Sequence, residues 1–160
     1  MSKPLAVITG ASSGIGEATA KAFSNAGYPT LLLARRLERM EALGLENSMC
    51  RQVDVCDRDA LVAAVREAEE IYGPTDMMFN NAGVARLANI STQPPEDWDE
   101  MIAVNTNGVM NGVHAVMGHM KERQTGTIVN MSSIAGRKIY EDHTVYCGTK
   151  YFVHAISEGI

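Results

Sequence analysis

The stretch that decides the fold of this chain is LAVITGASSGIG, residues 5–16. Its apolar first half, residues 5–9, is typical of a buried parallel strand, and residues 15–26 follow with helical spacing. Glycines between a strand and a helix let backbone N–H groups approach a pyrophosphate at the helix start. Such turns also occur without a ligand, so the loop alone leaves nucleotide binding open. A nucleoside triphosphate is less favoured, because the Lys-Ser/Thr pair of the NTP-binding loop is absent.

The remaining sequence continues the alternation of strands and helices. We predict further strands at 30–34, 51–55, 76–80 and 127–131, and helices at 37–43, 59–72, from 96, 106–123 (bent near Gly108 and Gly112) and from 143. This order predicts an α/β protein with a Rossmann-type, doubly wound parallel sheet flanked by helices. Residues 1–160 contain neither a repeat nor a linker, which indicates a single domain. The longest loop, residues 84–93, is expected to form a wall of the pocket.

Composition excludes several other classes of protein. The 160 residues have a formal net charge of −5, which argues against a nucleic-acid-binding surface. We predict no membrane segment, since no apolar run approaches the roughly 20 residues that a bilayer requires. The three cysteines form no CxxC pair, so we expect free thiols and a cytoplasmic location. His114 and His119 lack the spacing of a metal pair, and no metal site is predicted.

Two arginines follow the second predicted strand, where a dinucleotide site selects its cofactor. An acidic residue at this place binds the ribose 2′-hydroxyl of NAD, but here Ala34 is followed by Arg35 and Arg36. Two guanidinium groups suit the 2′-phosphate of NADP through charge and bidentate geometry. A solvated basic turn is the alternative interpretation.

The candidate catalytic residues lie near the C-terminal end of the sequence. Tyr146 and Lys150 are four residues apart, so on a helix the phenol and the ammonium share a face. A fixed cation favours the phenolate, which makes a tyrosine usable as a proton donor at neutral pH. Ser133, at a predicted strand end, has a hydroxyl that suits a substrate carbonyl, although a plain turn explains a lone serine equally well.

These motifs occur in the order that is found in one protein family. The chain resembles the short-chain dehydrogenase/reductase family in its NADP-preferring form, over all 160 residues. The resemblance implies that Tyr146 is the general acid, that Lys150 favours the phenolate form of Tyr146 and holds the nicotinamide ribose, and that Ser133 polarises the carbonyl. It also implies that Asn105 kinks its helix and holds a water of a proton relay. The cofactor-binding residues that it implies are Gly10, Ser12, Ser13, Gly14, Ile15, Gly16, Arg35, Arg36, Asp54, Val55, Asn81, Ala82, Gly83, Tyr146 and Lys150.

The implied function is an NADP(H)-dependent oxidoreductase that interconverts a small alcohol and its carbonyl. We expect a homodimer or homotetramer, built on the helices that carry Asn105 and Tyr146. Arg86 and Arg137 suggest an acidic substrate. The alternative is a fluorescent protein that holds NADPH in a rigid pocket with little turnover. The family's chain is usually longer, so we expect a truncated domain that lacks the last strands, has an open edge at its fifth strand, and shows weak stability and little turnover.

Overall fold

A five-stranded parallel sheet carries the fold in the computed structural model, which describes residues 3–160. Its strands lie in the order β3-β2-β1-β4-β5, and every neighbouring pair is parallel. The chain therefore winds outward from β1 to one edge and then returns to β4 on the other side. The doubly wound sheet is confirmed. The carboxyl ends of β1 and β4 form the switch point where such sheets bind ligands. The strands are β1 (Leu5–Thr9), β2 (Thr30–Ala34), β3 (Ser48–Gln52), β4 (Thr75–Asn80) and β5 (Thr127–Asn130).

Helices cover both faces of the sheet. A π-helical turn (Ala103–Asn107) joins the fourth and fifth helices, and a short 3₁₀ turn (Ile134–Gly136) follows β5. The helices are α1 (Gly14–Asn25), α2 (Leu37–Glu41), α3 (Arg58–Tyr72), α4 (Pro95–Ile102), α5 (Gly108–Arg123) and α6 (Thr144–Gly159).

Apolar side chains on alternate strand positions build two cores. Leu31 and Leu33 point to the face covered by α3 and α5, where they pack with Leu61 and Val116. Leu32 points to the opposite face, toward α1 and α2. Strands buried on both faces need continuous apolar runs, which is why these segments lack the alternating pattern of a half-exposed strand.

The third strand differs from its prediction, which placed it at residues 51–55. It spans Ser48–Gln52, because it pairs with β2 from Thr30 to Ala34. Val53 and Val55 are buried but lie beyond the strand, so their apolar character reflects packing rather than strand pairing. The consequence is that Asp54 lies in the turn at the carboxyl edge of the sheet.

The helices predicted from residue 96 and at 106–123 lie at Pro95–Ile102 and Gly108–Arg123, and no loop separates them. Residues 95–123 form one helical run with a π turn inside it, and π turns in helices are frequent at functional sites. Gly108 and Gly112 allow close packing: a Cβ at Gly108 would lie 2.6 Å from Val55 Cγ2, and one at Gly112 would lie 1.8 Å from Asn80 Oδ1. The glycines bring the helix against the sheet and its loops.

The fifth strand lies at an edge of the sheet in the described part of the chain, as predicted. Its side chains are exposed or half-buried, and Val129 is 39% exposed. Within residues 3–160, none of the helices combines the length and the apolar character that crossing a bilayer requires.

Candidate active site

A cavity of about 830 Å³ opens at the carboxyl ends of the strands. It brings together most of the residues that the sequence singled out, although they come from both ends of the chain. Gly14, Gly16 and Asn105 are the predicted site residues that do not line it. Those that do are Gly10, Ser12, Ser13, Ile15, Arg35, Arg36, Asp54, Val55, Asn81, Ala82, Gly83, Ser133, Tyr146 and Lys150.

The glycine loop is shaped by left-handed backbone and by a close approach at Gly16. Gly10 has a φ of 66° and Gly14 a φ of 58°, which side chains rarely adopt. A Cβ on Gly16 would lie 2.3 Å from the carbonyl oxygen of Gly10, so α1 can begin directly beneath the loop only with glycine there. The first turn of α1 thus faces the cavity with backbone N–H groups that favour an anion.

Thr9 and Asn81 fasten the glycine loop to β4. Thr9 Oγ1 accepts hydrogen bonds from the backbone N–H groups of Asn81 and Ala82, at 3.0 Å each. Asn81 Nδ2 donates to the carbonyl oxygen of Thr9 at 3.0 Å. Asn81 therefore supports the floor of the cavity through its side chain. Sequence reasoning did not assign Thr9 a role; the available signal was a hydroxyl at the last position of an apolar strand.

The two arginines after β2 are held differently. Arg36 Nη2 donates to Ser12 Oγ and Ser13 Oγ, at 3.0 Å each, and so lies across the glycine loop. Arg35 Nη1 lies 4.0 Å from a carboxylate oxygen of Glu100 on α4. Both arginines are exposed at the rim of the cavity. Their positions suit recognition of an anionic group at this end of the cavity.

Asp54 and Val55 lie in a turn held by hydrogen bonds. Asp54 Oδ1 accepts from the backbone N–H of Cys56 at 2.9 Å. Asn111 on α5 is buried, and its Nδ2 donates to the carbonyl oxygen of Val55 at 2.8 Å. Partial burial, followed by the hydrogen bond to Asp54, raises the pKa of the Cys56 thiol from 9.0 to about 11. The thiol therefore stays protonated at neutral pH. Sequence reasoning missed Asn111, for which the only signal was an amide on an otherwise apolar helix face.

The tyrosine and the lysine share one face of α6, as predicted. Lys150 Nζ lies 5.8 Å from the centre of the Tyr146 ring, and it donates to the carbonyl oxygen of Met131 at 2.7 Å. Tyr146 is partly exposed to the cavity, whereas Lys150 is buried. Burial lowers the pKa of Lys150 from 10.5, because desolvation disfavours the ammonium. The arrangement places the Tyr146 phenol and the Lys150 amine next to each other in the wall of the cavity.

Asn105 lies in the π turn and is fully buried. Its Oδ1 accepts from the backbone N–H of Val84 and its Nδ2 donates to the carbonyl oxygen of Val84, both at 2.8 Å. Nδ2 also lies 3.1 Å from Thr149 Oγ1 on α6. The side chain thus links the loop after β4 to the helix that carries Tyr146. The predicted water relay at Asn105 stays a prediction.

The two serines after β5 have different partners. Ser132 Oγ donates to the carbonyl oxygen of Lys150 at 3.0 Å, which ties the strand end to α6. Ser133 Oγ accepts from the backbone N–H of Ala135 at 3.1 Å and lines the cavity. Because Ser133 uses its oxygen as an acceptor there, its hydroxyl proton remains available for a ligand.

The two arginines suggested for an acidic substrate do not line the cavity. Arg86 forms an ion pair with Glu100, with 2.8 Å between Nε and Oε2, and Arg137 is exposed. That expectation therefore loses its structural support. Val84 and Ala85, the first residues of the 84–93 loop, do form part of the cavity wall, as predicted.

A parallel doubly wound sheet with a glycine-rich loop at its switch point defines the class of Rossmann-type nucleotide-binding proteins. Within that class the identification is specific, because residues 4–160 match the family model described as short chain dehydrogenase. The chain belongs to the short-chain dehydrogenase family.

Similar proteins and solved structures support this assignment. An uncharacterised oxidoreductase of Staphylococcus saprophyticus is 39% identical over 158 residues, which cover 96% of this chain and 64% of the relative. A gluconate 5-dehydrogenase from Burkholderia cenocepacia, solved with NADP and tartrate, is 30% identical with a TM-score of 0.89, over 99% of this chain and 65% of that one. A serine dehydrogenase in its closed form with NADP⁺ is 32% identical with a TM-score of 0.93, over 97% of this chain and 64% of that one. The chain therefore spans less than two thirds of the length of these proteins.

Proposed function

We propose that the protein is an NADP(H)-dependent oxidoreductase that interconverts a small alcohol and its ketone or aldehyde. The observation that carries this proposal is that one cavity contains both the glycine-rich loop and the Tyr146–Lys150 pair. Two of the solved relatives were determined with NADP bound, which supports the choice of cofactor.

The residues present fit a dinucleotide along the cavity. The pyrophosphate would lie on the N–H groups at the start of α1, and the 2′-phosphate on Arg36 and Arg35. Asp54 and Val55 would contact the adenine. The fit rests on the cradle at Gly10 and Gly16, where a Cβ would lie 2.8 Å from Ala82 Cα or 2.3 Å from the Gly10 carbonyl oxygen and would distort the loop that faces the cavity. Lys150, with one hydrogen bond to Met131, has further N–H groups for the hydroxyls of the nicotinamide ribose.

The chain's own residues supply position and a proton, while a nicotinamide cofactor would supply the hydride. In carbonyl reduction Tyr146 would give a proton to the carbonyl oxygen. The cationic form of Lys150 stabilises the phenolate that remains. Ser133 donates a hydrogen bond to the same oxygen, where negative charge develops. Asn105 acts by positioning, since its contacts fix Val84 and α6 relative to each other.

One experiment separates this function from the fluorescent, non-catalytic alternative. The protein is mixed with NADPH, its emission is recorded, and a panel of aldehydes, ketones and keto acids is then added while cofactor absorbance is followed. Consumption of NADPH that is lost in Tyr146→Phe supports the enzyme. Enhanced emission without consumption by any carbonyl supports the alternative and contradicts the proposal.

We also propose a homodimer or homotetramer in the cytoplasm. The support for assembly is apolar surface on the two helices concerned: Met110 on α5 and Tyr151 and Phe152 on α6 are 36–39% exposed. Cys50, Cys56 and Cys147 are free thiols, which suits a reducing compartment. Light scattering on the wild type and on Phe152→Lys tests the assembly, and a wild-type monomer would contradict it.

A further inference from the structure

A carboxylate on α4 lies between two guanidinium groups, of which that of Arg35 lines the rim of the cavity. Glu100 Oε2 accepts a hydrogen bond from Arg86 Nε at 2.8 Å, and Oε1 lies 4.0 Å from Arg35 Nη1. Arg35 follows β2 and Arg86 lies in the loop after β4, so Glu100 links two segments that flank the cavity. Both arginines stand out in the sequence by their positions, whereas the acid between them does not.

The contacts of Arg35 and Arg36 differ in charge. Arg36 donates to the hydroxyls of Ser12 and Ser13, which are neutral, so its positive charge remains uncompensated. Arg35 faces the carboxylate of Glu100 instead. A 2′-phosphate that approaches Arg35 therefore competes with an anion already beside it, whereas no carboxylate forms an ion pair with Arg36 among the described residues.

We propose that Glu100 is a specificity-determining residue that restrains Arg35 and so limits the preference of this site for 2′-phosphorylated nucleotides. The inference rests on the proposed NADP(H) function. Two effects act in the same direction: the carboxylate holds the guanidinium on the α4 side, and its negative charge repels the phosphate. Arg86 moderates both effects, because it pairs with the other oxygen of Glu100 and neutralises part of its charge.

Nucleotide fragments test this role without any turnover. Glu100→Gln keeps the shape of the side chain and removes its charge. We expect the Kd of adenosine 2′,5′-bisphosphate, measured by isothermal titration calorimetry at low ionic strength, to fall about two- to fivefold, the range of an exposed ion pair. The Kd of 5′-AMP, which lacks the 2′-phosphate, should not change. An unchanged Kd for the bisphosphate, or an equal change for both nucleotides, would overturn the proposal.

Two further variants make the test specific. Asp99→Asn removes the same charge from the exposed neighbour on α4 and should leave both Kd values unchanged. Arg86→Ala should weaken bisphosphate binding, because Glu100 is then free to pair fully with Arg35. If Arg86 acts through Glu100, the same substitution has a much smaller effect in the Glu100→Gln background. A full Arg86 effect in that background would contradict the proposed chain of contacts.

The failure of this inference is distinguishable from failure of the proposed function. Wild-type protein is first titrated with NADPH. If it binds neither NADPH nor the bisphosphate, the proposed function fails and the inference fails with it. If it binds NADPH while Glu100→Gln leaves the ratio of the two fragment Kd values unchanged, only the role of Glu100 is wrong.

Discussion

The two ends of the cavity are built on different physical principles. At the Tyr146 end the supporting groups are buried and hydrogen-bonded to backbone: Lys150 to Met131, and Asn105 to Val84. At the Arg35 end the side chains are exposed, and their contacts are hydroxyls and a distant carboxylate. Geometry at the first end is therefore fixed by packing, whereas the second end is tuned by charge. Substitutions should have large, salt-independent effects at one end and modest, salt-dependent effects at the other.

The largest expected effect is on turnover when the phenol loses its hydroxyl. Tyr146→Phe should reduce kcat by about 10²- to 10⁴-fold, the usual contribution of a positioned general acid. The Kd for NADPH should change little, because the ring remains in place. Steady-state rates with a reducible carbonyl, together with an NADPH titration, measure both quantities. A variant that retains most of its kcat would show that Tyr146 is not the proton donor.

Removing the Asn105 amide should destabilise the buried end. Asn105→Ala leaves the N–H and the carbonyl of Val84 without partners, and an unpaired buried polar group costs about 1–3 kcal/mol. Urea unfolding should show a loss in that range. Thr149→Val is the matched control: it removes the longest of the three Asn105 contacts and the bond that the Thr149 hydroxyl donates to the carbonyl oxygen of Tyr146, but it leaves both Val84 contacts in place and should cost less. An equal loss in the two variants would contradict this account of Asn105.

Removing a charge at the Arg35 end of the cavity should lower the affinity for the cofactor. Arg36→Ala should raise the Kd for NADPH roughly tenfold, because it removes charge-assisted hydrogen bonds to the 2′-phosphate. Arg35→Ala should have a smaller effect, since its charge is shared with Glu100. Both effects should shrink as salt is added. Titrations at two ionic strengths test this order, and a larger effect of Arg35→Ala would reverse the assignment of the two arginines.

The smallest expected effect is the pH dependence that Lys150 gives to stability. Burial lowers its pKa from 10.5, so between the folded-state pKa and 10.5 the unfolded chain binds more protons. The contribution of Lys150 to the free energy of unfolding therefore rises with pH across that window. The same contribution is lost as pH falls through the folded-state pKa. Compared with Lys150→Met, the wild type should gain relative stability between neutral pH and 10.5. Urea unfolding of both proteins across that range measures the difference, and a relative loss of wild-type stability would give the wrong sign.

The sequence predicted the local parts of the site well. The β1–α1 loop and the Tyr146–Lys150 pair depend on neighbours in sequence, and the structure has both as predicted. The strand at 51–55 was misplaced because buried Val53 and Val55 resemble strand residues, while β3 is positioned by its pairing with β2.

Contacts between segments that are distant in sequence could not be predicted from the sequence. Thr9 and Asn81 form a hydrogen bond although more than seventy residues separate them in sequence. Asn111 and Val55 do so across more than fifty residues. Neither partner has a local pattern that indicates the other. Glu100 is a similar case, because an acid on an amphipathic helix usually lies on a solvated face. Its position beside Arg35 follows only from how α4 packs at the edge of the cavity.

A crystal structure with NADP bound would test the central claim most directly, that one cofactor spans both ends of this cavity. The account predicts the pyrophosphate on the glycine loop at Gly10, the 2′-phosphate on Arg36, and the nicotinamide ribose within hydrogen-bonding distance of Lys150 and beside Tyr146. A nucleotide that binds outside the cavity, or with its nicotinamide at the Arg36 end, would contradict it.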